Sequence, residues 1–281
     1  MDVHDHAKKL AKESASNFYY SFLFLPKPKR EAMYAVYAFC RLCDDIVDGH
    51  LPADEAAKEL QRFREELDLS YQGRATHPIL VRVGEVAKRY GIPKRYFGEL
   101  IDGMEMDLMK QRYTTFEELR EYCYRAASVV GLICIEIFSY KNPTTKVYAE
   151  NLGIAFQLIN ILRDLVPDLK RGRIYLPLED LSRFRYREED LMAQVYNEAF
   201  IELMRFEAGR ARSYFQKAEA ALPREDRRSM VAAEIMRAIY AKLLDEIERA
   251  SYNVFQQRIS LPRPLRLRLA FTAWLRNALL R

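Results

Sequence analysis

Apolar residues recur at helical spacing along nearly the whole chain, and the alternation typical of strands never persists. Only 10 glycines and 11 prolines interrupt the 281 residues, of which 49% are hydrophobic. This composition favours long helices around one large core. No repeat, low-complexity linker or change of composition divides the chain. We therefore predict an all-α fold in a single domain, 1–281, whose last segment, 261–281, is a basic amphipathic tail.

Turn and capping residues place the ends of the predicted helices. Thr115 and Glu118 have the spacing of a capping box, so a helix should begin there. Asn142 followed by Pro143 is typical of an N-cap and the first turn of the next helix. The predicted helices span about 29–48, 53–71, 115–138, 143–163, 188–221 and 225–258.

A first acidic cluster lies on one side of a long predicted helix, in the string CRLCDDIVD. One face carries Tyr37, Arg41, Asp44 and Asp48, at positions i, i+4, i+7 and i+11. The other faces are rich in Leu, Ile, Val, Phe and Cys. A polar face on an otherwise apolar helix needs a polar partner inside the fold.

A second cluster has the same design, in the string FQLINILRDLVPD. If the helix persists, one face carries Gln157, Asn160, Asp164 and Asp168, at positions i, i+3, i+7 and i+11. Either cluster alone is compatible with solvated aspartates or with aspartates paired to basic side chains at helix surfaces. Two such clusters in one chain favour a shared internal site.

Carboxylates gathered inside a cavity require cations, because like charges 4 Å apart repel by about 4 kcal/mol at an effective dielectric near 20. Oxygen ligands without cysteine or histidine favour Mg²⁺, which leaves coordination positions for substrate phosphates. A diphosphate held in this way becomes a better leaving group. The carbocation left behind needs a dry pocket, and aromatic faces stabilise it. Phe18 and Phe22, just before the first aspartate helix, are candidates to contact the substrate, although ordinary core packing is the alternative.

Three groups of strings in this sequence resemble the squalene and phytoene synthase family over nearly the whole chain. They are FYYSFLFLP with YAVYAFCRLCDDIVD, EYCYRAASVVG, and LGIAFQLINILRD with RGRIYLP. They are specific in combination, whereas a lone DDxxD-like motif is a weak signal. Within the family, FYYSFLFLP, IDGMEMDL, GLICIEIFSY and IYAKLLDEIERASYNVFQQR are similar to the bacterial presqualene diphosphate synthases of hopanoid pathways.

The resemblance implies an all-α isoprenoid synthase fold with a central cavity between the two aspartate helices. It also implies that two molecules of farnesyl diphosphate react with each other. One ionises, its cation attacks the double bond of the other, and proton loss closes the cyclopropane of presqualene diphosphate.

The resemblance further assigns roles to residues by their position in the matching strings. The metal-binding aspartates of the family match Asp44, Asp48, Asp164 and Asp168. Residues around the diphosphates and the cavity match Tyr37, Arg41, Gln157, Asn160 and Arg163. Aromatic positions near the reacting carbons match Tyr124 and Tyr252.

The sequence departs from the family pattern at two places. Val166 and Pro167 stand where the family commonly has Gly-Glu, and a proline there conflicts with the preceding helical turn. Asp168 is therefore the metal position most exposed to displacement. Asn17 replaces the serine that usually precedes the phenylalanine of the first motif, and its amide can still donate to a phosphate.

The residues leave the substrate length and the end point of the reaction open. A phytoene-type synthase using C20 chains, a dehydrosqualene synthase and a squalene synthase that continues to reduction would share the same ionisation chemistry. A G-x-G-x-x-G motif for NADPH is missing, but the family does not bind NADPH through such a fold, so this decides little. A non-catalytic assembly factor is a remote alternative, because both aspartate motifs are intact.

The charge of the chain is mildly basic, with a net charge of +5 and a pI of about 8.9. Anionic substrates or anionic lipid fit this value, whereas nucleic acid is not predicted. The N-terminus lacks the apolar stretch of a signal peptide, so we expect a cytoplasmic protein. The tail carries five arginines and the only tryptophan. It is either a peripheral contact with an anionic membrane at its inner face or a plain packing helix. The oligomeric state is left open.

Overall fold

The computed structural model describes residues 17–49 and 51–279, which fold into helices joined by short loops. The α-helices are α1 (Asn17–Phe22), α2 (Lys27–Asp48), α3 (Ala53–Tyr71), α4 (Pro78–Tyr90), α5 (Lys94–Met109), α6 (Phe116–Cys123), α7 (Val129–Phe138), α8 (Thr145–Arg163), α9 (Leu165–Lys170), α10 (Leu178–Arg183), α11 (Glu188–Met192), α12 (Glu198–Ala221), α13 (Val231–Arg249) and α14 (Arg263–Ala278). The described residues contain no β-sheet, since a single bridge between Arg112 and Ile174 is the only strand-like pairing among them. The predicted all-α fold is confirmed.

Helix α8 lies at the centre of the bundle. It packs along α12 and also contacts α7 and α13. Its buried residues include Tyr148, Leu152, Ile159 and Leu162, which lie on several sides of the helix. A helix that is apolar nearly all round must be surrounded by other helices. On the other side of the molecule α2 packs against α3, α4, α5 and α7.

A π-helical segment, Tyr124–Ser128, interrupts the helix that was predicted to run from 115 to 138. Thr115 caps its start, because the Thr115 side chain accepts a hydrogen bond from the Glu118 amide, as the capping spacing predicts. Helix α8 crosses the π segment at Gly153, where a Cβ atom would lie 2.5 Å from the Ser128 Cα. Only glycine permits this close approach.

Two predicted helices are shorter than expected. The predicted helix 188–221 divides into α11 and α12, because the Asn197 side chain accepts from the Phe200 amide and caps a new helix. The predicted helix 225–258 is α13, which ends at Arg249. Ser251 and Tyr252 follow with φ of 49° and 64°, a left-handed conformation that ends a helix.

The C-terminal helix α14 packs against α13 and α1. Ala270 and Asn277 are buried in this contact. No helix in the part of the chain that the structure describes is both long enough and apolar enough to cross a bilayer.

Candidate active site

A cavity of about 430 Å³ lies between α2 and α8, and its wall also includes residues of α1, α5, α6, α7, α9 and α13 and of the loop after α9. Along α2 the lining changes from Met33 and Val36 to Asp44 and Asp48, and along α8 it changes from Leu152 to Asn160. The cavity is therefore polar at the C-terminal ends of both helices and apolar at their N-terminal ends. Met33 and Asp44 are about 16 Å apart along the helix axis.

The first polar wall is the C-terminal half of α2. Tyr37, Arg41, Asp44 and Asp48 all line the cavity. Arg41 forms an i, i+4 ion pair with Asp45 at 2.6 Å. Asp48 is held by two arginines from the loop after α9, with Arg173 at 2.8 Å and Arg171 at 3.4 Å.

Asp44 differs from Asp48, because no described residue forms a hydrogen bond or an ion pair with its carboxylate. Its side chain is exposed to the cavity, although the protein atoms around it reduce its hydration. This desolvation, together with repulsion from Asp48, raises the pKa of Asp44 to about 7.

The second polar wall is formed where α8 ends. The predicted helix does not persist through both aspartates, since α8 stops at Arg163 and Asp164 has φ of −103° and ψ of 20°. Pro167 lies in the first turn of the new helix α9. The amide groups of a first turn have no acceptor within their own helix, so the missing amide hydrogen of Pro167 costs no helical hydrogen bond. The Asp168 amide still donates to the Asp164 carbonyl at 3.1 Å. Asp168 therefore lines the cavity despite the departure from the family pattern.

Asp164 is the most strongly paired carboxylate of the site. Arg163 donates to both of its oxygens, and Arg258 donates from Nε at 2.6 Å and from Nη2 at 3.2 Å. Burial opposes ionisation, but these hydrogen bonds from two guanidinium groups lower the pKa of Asp164 below its ordinary value. In contrast, burial and the Asp164 charge raise the pKa of Asp168 to about 7.

These carboxylates fit a divalent cation that is shared with a substrate. Asp44 and Asp168 are desolvated acids next to further carboxylates, an arrangement that a cation would relieve. Within the described residues, however, no three acidic, thiol or imidazole side chains are close enough to enclose an ion by themselves. The aspartates lie on two walls, so a cation there would need further oxygen ligands, as Mg²⁺ commonly takes from substrate phosphates.

A third carboxylate lies beside the two walls. Asp107, on α5, is buried and accepts hydrogen bonds from the hydroxyl groups of Tyr122 at 3.0 Å and Tyr175 at 2.7 Å. Burial raises the pKa of Asp107 to about 6, although the tyrosine hydrogen bonds act in the opposite direction. Asp107, Tyr122 and Tyr175 all line the cavity.

Amide and aromatic side chains lie between the polar and apolar parts of the cavity. Asn160 donates to the Gln157 side chain at 3.3 Å and accepts from the Tyr240 hydroxyl at 3.2 Å. The Tyr240 ring lies 4.4 Å from the Phe156 ring, centre to centre. Beyond these groups the lining is mostly apolar, and the described residues there include no charged side chain.

The structure brings most of the predicted site residues into this one cavity. Those that line it are Phe18, Phe22, Tyr37, Arg41, Asp44, Asp48, Gln157, Asn160, Arg163, Asp164 and Asp168. Asn17 begins α1, and its side chain lies outside the described part of the structure.

Tyr124 and Tyr252 were predicted near the reacting carbons, and the structure places neither in the cavity wall. Tyr124 begins the π-helical segment and donates to Glu99 at 3.3 Å, so it points away from the cavity. Tyr122, two residues earlier, takes the place in the wall. Tyr252 follows the end of α13 in a left-handed turn, and its hydroxyl lies near the charges of Glu248 and Arg205, neither of which lines the cavity.

The site residues that were missed in the sequence include Asp107, Tyr240, Arg258 and Arg173. The sequence could have indicated Asp107, because Leu100, Met104 and Asp107 lie at i, i+4 and i+7 on one otherwise apolar helix face. Tyr240 and Arg258 lie in the string IYAKLLDEIERASYNVFQQR, which was noted only for its resemblance. Arg173 lies in RGRIYLP, and no spacing rule links it to Asp48.

Comparison with known sequences identifies similar proteins over most of the chain. Residues 11–264 match the sequence model described as squalene/phytoene synthase. The phytoene synthase of Arthrospira platensis is 37% identical over 276 residues, which cover 93% of this chain and 89% of that protein. The 15-cis-phytoene synthase of Synechocystis sp. is 36% identical over 291 residues, which cover 99% of this chain and 86% of that protein.

Comparison with solved structures gives the same architecture. The squalene synthase HpnC from Alicyclobacillus acidocaldarius superposes with a TM-score of 0.80 at 28% identity, over 89% of this chain and 94% of that one. A dehydrosqualene synthase in complex with ligand superposes with a TM-score of 0.84 at 26% identity, over 96% of this chain and 94% of that one. The predicted isoprenoid synthase fold is confirmed.

Proposed function

We propose that this chain, which belongs to the squalene/phytoene synthase family, condenses two molecules of farnesyl diphosphate head to head into presqualene diphosphate. The observation that carries the proposal is one cavity with two aspartate-bearing walls at its polar end and an apolar remainder. Diphosphate groups suit the first part, and isoprenoid chains suit the second.

The reaction balances without a further reactant. The bond between C1 and the diphosphate oxygen of one farnesyl diphosphate breaks, and the diphosphate leaves with the electron pair. The allylic C1 cation is attacked by the double bond between C2 and C3 of the second molecule. Loss of one proton closes the cyclopropane ring, which gives one C30 diphosphate, one free diphosphate and one proton.

The polar end would bind the diphosphates through ions and arginines. Asp44, Asp48, Asp164 and Asp168 would hold Mg²⁺, which when bound neutralises the diphosphate charge and makes it a better leaving group. Arg258 Nε lies 2.6 Å from Asp164 Oδ1, and Arg173 Nη1 lies 2.8 Å from Asp48 Oδ1. A diphosphate bound at these aspartates would therefore also contact the two guanidinium groups.

The apolar part of the cavity would protect the cation from water. Phe22, Phe156 and Tyr240 present aromatic rings in its wall. Such rings stabilise a cation without being able to trap it, by about 0.5–2 kcal/mol each. The Tyr240 hydroxyl is engaged with Asn160, which fixes the ring beside the polar groups.

Farnesyl diphosphate is our first choice of substrate. The strings shared with presqualene diphosphate synthases support it, and the two solved structures described above are named squalene and dehydrosqualene synthase. A C20 substrate is the second candidate, because the relatives at 37% and 36% identity are phytoene synthases.

Incubation of the purified chain with Mg²⁺ and either farnesyl or geranylgeranyl diphosphate tests the proposal. Mass spectrometry of the products identifies the chain length and the cyclopropyl diphosphate, and a parallel reaction with NADPH tests for reduction. We expect presqualene diphosphate from farnesyl diphosphate, unchanged by NADPH.

Each other outcome has a defined meaning. Consumption of geranylgeranyl diphosphate alone would establish the C20 alternative. Squalene formed with NADPH would place the end point one step later. If neither diphosphate is consumed in the presence of Mg²⁺, the proposed function is wrong.

A further inference from the structure

The net positive charge of this protein comes from its C-terminal segment. Residues 261–281 contain five arginines and no acidic residue. All 40 aspartates and glutamates therefore lie before residue 261, where 40 of the 45 lysines and arginines also lie. The net charge of +5 thus belongs entirely to this segment, and such an asymmetry is typical of a surface that binds polyanions or anionic lipid.

Helix α14, within that segment, has a row of large apolar side chains that the other described residues leave exposed. Leu267, Phe271, Leu275 and Leu279 follow one another at four-residue spacing, and they are between 43% and 72% exposed. Residues at this spacing lie on one side of a helix. We call this row, together with the exposed arginines Arg268 and Arg276, the docking face.

The opposite side of α14 is fixed to the protein, so the docking face has a defined orientation. The Trp274 ring lies 5.7 Å from the Phe24 ring, and Arg266 lies over the Tyr20 ring at 5.6 Å. The buried Asn277 donates to the Arg227 carbonyl at 2.7 Å. These contacts point the apolar row away from the protein body.

We propose that the docking face lies flat on the surface of a bilayer that contains anionic lipid. An exposed apolar row with arginines beside it, and with Phe and Trp on the same helix, has the composition of an interfacial helix. Covering by a second copy through a two-fold axis is disfavoured, because that contact would bring two segments of like charge together with no acidic residue in either.

Two helices, α1 and α13, lie between α14 and the cavity. Helices α1 and α13 both pack against α14. The same two helices supply Phe18, Phe22, Ala232 and Met236 to the cavity wall. Docking would thus place this wall next to the bilayer, where an apolar product can be released. That last consequence rests on the proposed function, whereas the docking itself does not.

Co-sedimentation with vesicles tests the docking without any substrate, so its outcome is independent of the proposed reaction. The full chain is incubated with phosphatidylcholine vesicles that contain or lack phosphatidylglycerol. We expect binding to the anionic vesicles that weakens as salt is added. The double variant F271E/L275E should bind on the order of a hundredfold more weakly. The double variant R268Q/R276Q should bind the anionic vesicles about fivefold more weakly for each arginine removed.

A control is Val147→Glu, which adds one glutamate, against two in F271E/L275E, at a similarly exposed apolar residue of α8. It should bind vesicles like the wild type. Equal binding to neutral and anionic vesicles, or wild-type binding by F271E/L275E, would overturn the proposal. A dimer in gel filtration that F271E/L275E converts to a monomer, without vesicle binding by either protein, would overturn it in favour of a second copy. Circular dichroism of each variant establishes that it is folded.

Discussion

The first aspartates of the two cavity walls, Asp44 and Asp164, hold corresponding places in their motifs but are in opposite electrostatic states. On α2, Asp44 has no partner among the described residues, and desolvation raises its pKa to about 7. At the end of α8, Asp164 is held by Arg163 and Arg258, which lower its pKa. Each is followed four positions later by a second aspartate, Asp48 after Asp44 and Asp168 after Asp164.

This difference shows that a motif fixes the type of ligand atom but not its state before ligands bind. Asp44 has no ion-pair partner among the described residues, so it gains the most from a cation. Asp164 already has two counterions, one from its own helix end and one from 94 residues further along the chain. A cation at Asp164 would have to share the carboxylate with them or displace Arg258, which is more exposed than Arg163. The following predictions test whether the two walls really differ.

The largest expected effect is the loss of turnover when either wall is neutralised. Asp44→Asn and Asp164→Asn should each lower kcat on the order of a thousandfold, because each removes a charge that the cation and the diphosphate require. Asp45→Asn is the matched control, since Asp45 pairs with Arg41 on the same helix. Full turnover in Asp44→Asn would show that the first wall does not hold the cation.

The next largest effect is on the free energy of unfolding, which should fall when Asp164 is neutralised and should not fall when Asp44 is neutralised. Asp164→Asn leaves the buried Arg163 without its charged partner and should lower the free energy of unfolding by about 3 kcal/mol. Asp44→Asn removes a desolvated, repelled carboxylate and should leave the stability of the metal-free protein unchanged or raised. Urea unfolding without metal measures both, and equal losses in the two variants would contradict the comparison.

A smaller effect is expected from the arginine that joins the C-terminal part of the chain to the second wall. Arg258 is largely exposed, so Arg258→Gln should change stability little. It should weaken binding of the magnesium diphosphate by about fivefold, which corresponds to the loss of about 1 kcal/mol from a charged hydrogen bond. Isothermal titration with diphosphate and Mg²⁺ measures this value. Arg249→Gln, which breaks a surface pair with Glu246, is the control.

The smallest expected effect is a difference between Asp44→Asn and the wild type in how the stability of the metal-free protein depends on pH. The raised pKa of Asp44 means that the folded protein keeps a proton that the unfolded chain releases, so its stability falls as pH rises from about 4 to about 7. Asp164 has a lowered pKa and contributes stability that is lost only as the pH falls below about 4. The difference in Tm between Asp44→Asn and the wild type should therefore grow towards neutral pH. A constant difference would mean that Asp44 ionises freely.

Several parts of the site could be predicted because they depend on local spacing. Tyr37, Arg41 and Asp44 lie within two turns of one helix, so their common face follows from helical geometry alone. Tyr124 was placed near the reacting carbons by the resemblance and not by spacing, and Tyr122 lines the cavity instead. Regular helical spacing also does not predict the π-helical turn at Tyr124–Ser128.

The sequence by itself determined the all-helical class, the apolar faces that make the core, and the two polar faces that need a common partner. Helical periodicity is a local property, and the hydrophobic effect requires only that the apolar faces be covered. Tertiary structure alone decided which distant charges neutralise Asp48 and Asp164, because Arg173 and Arg258 reach them from other parts of the chain. Electrostatic energy depends on distance through space and on desolvation, and neither quantity is set by separation along the chain.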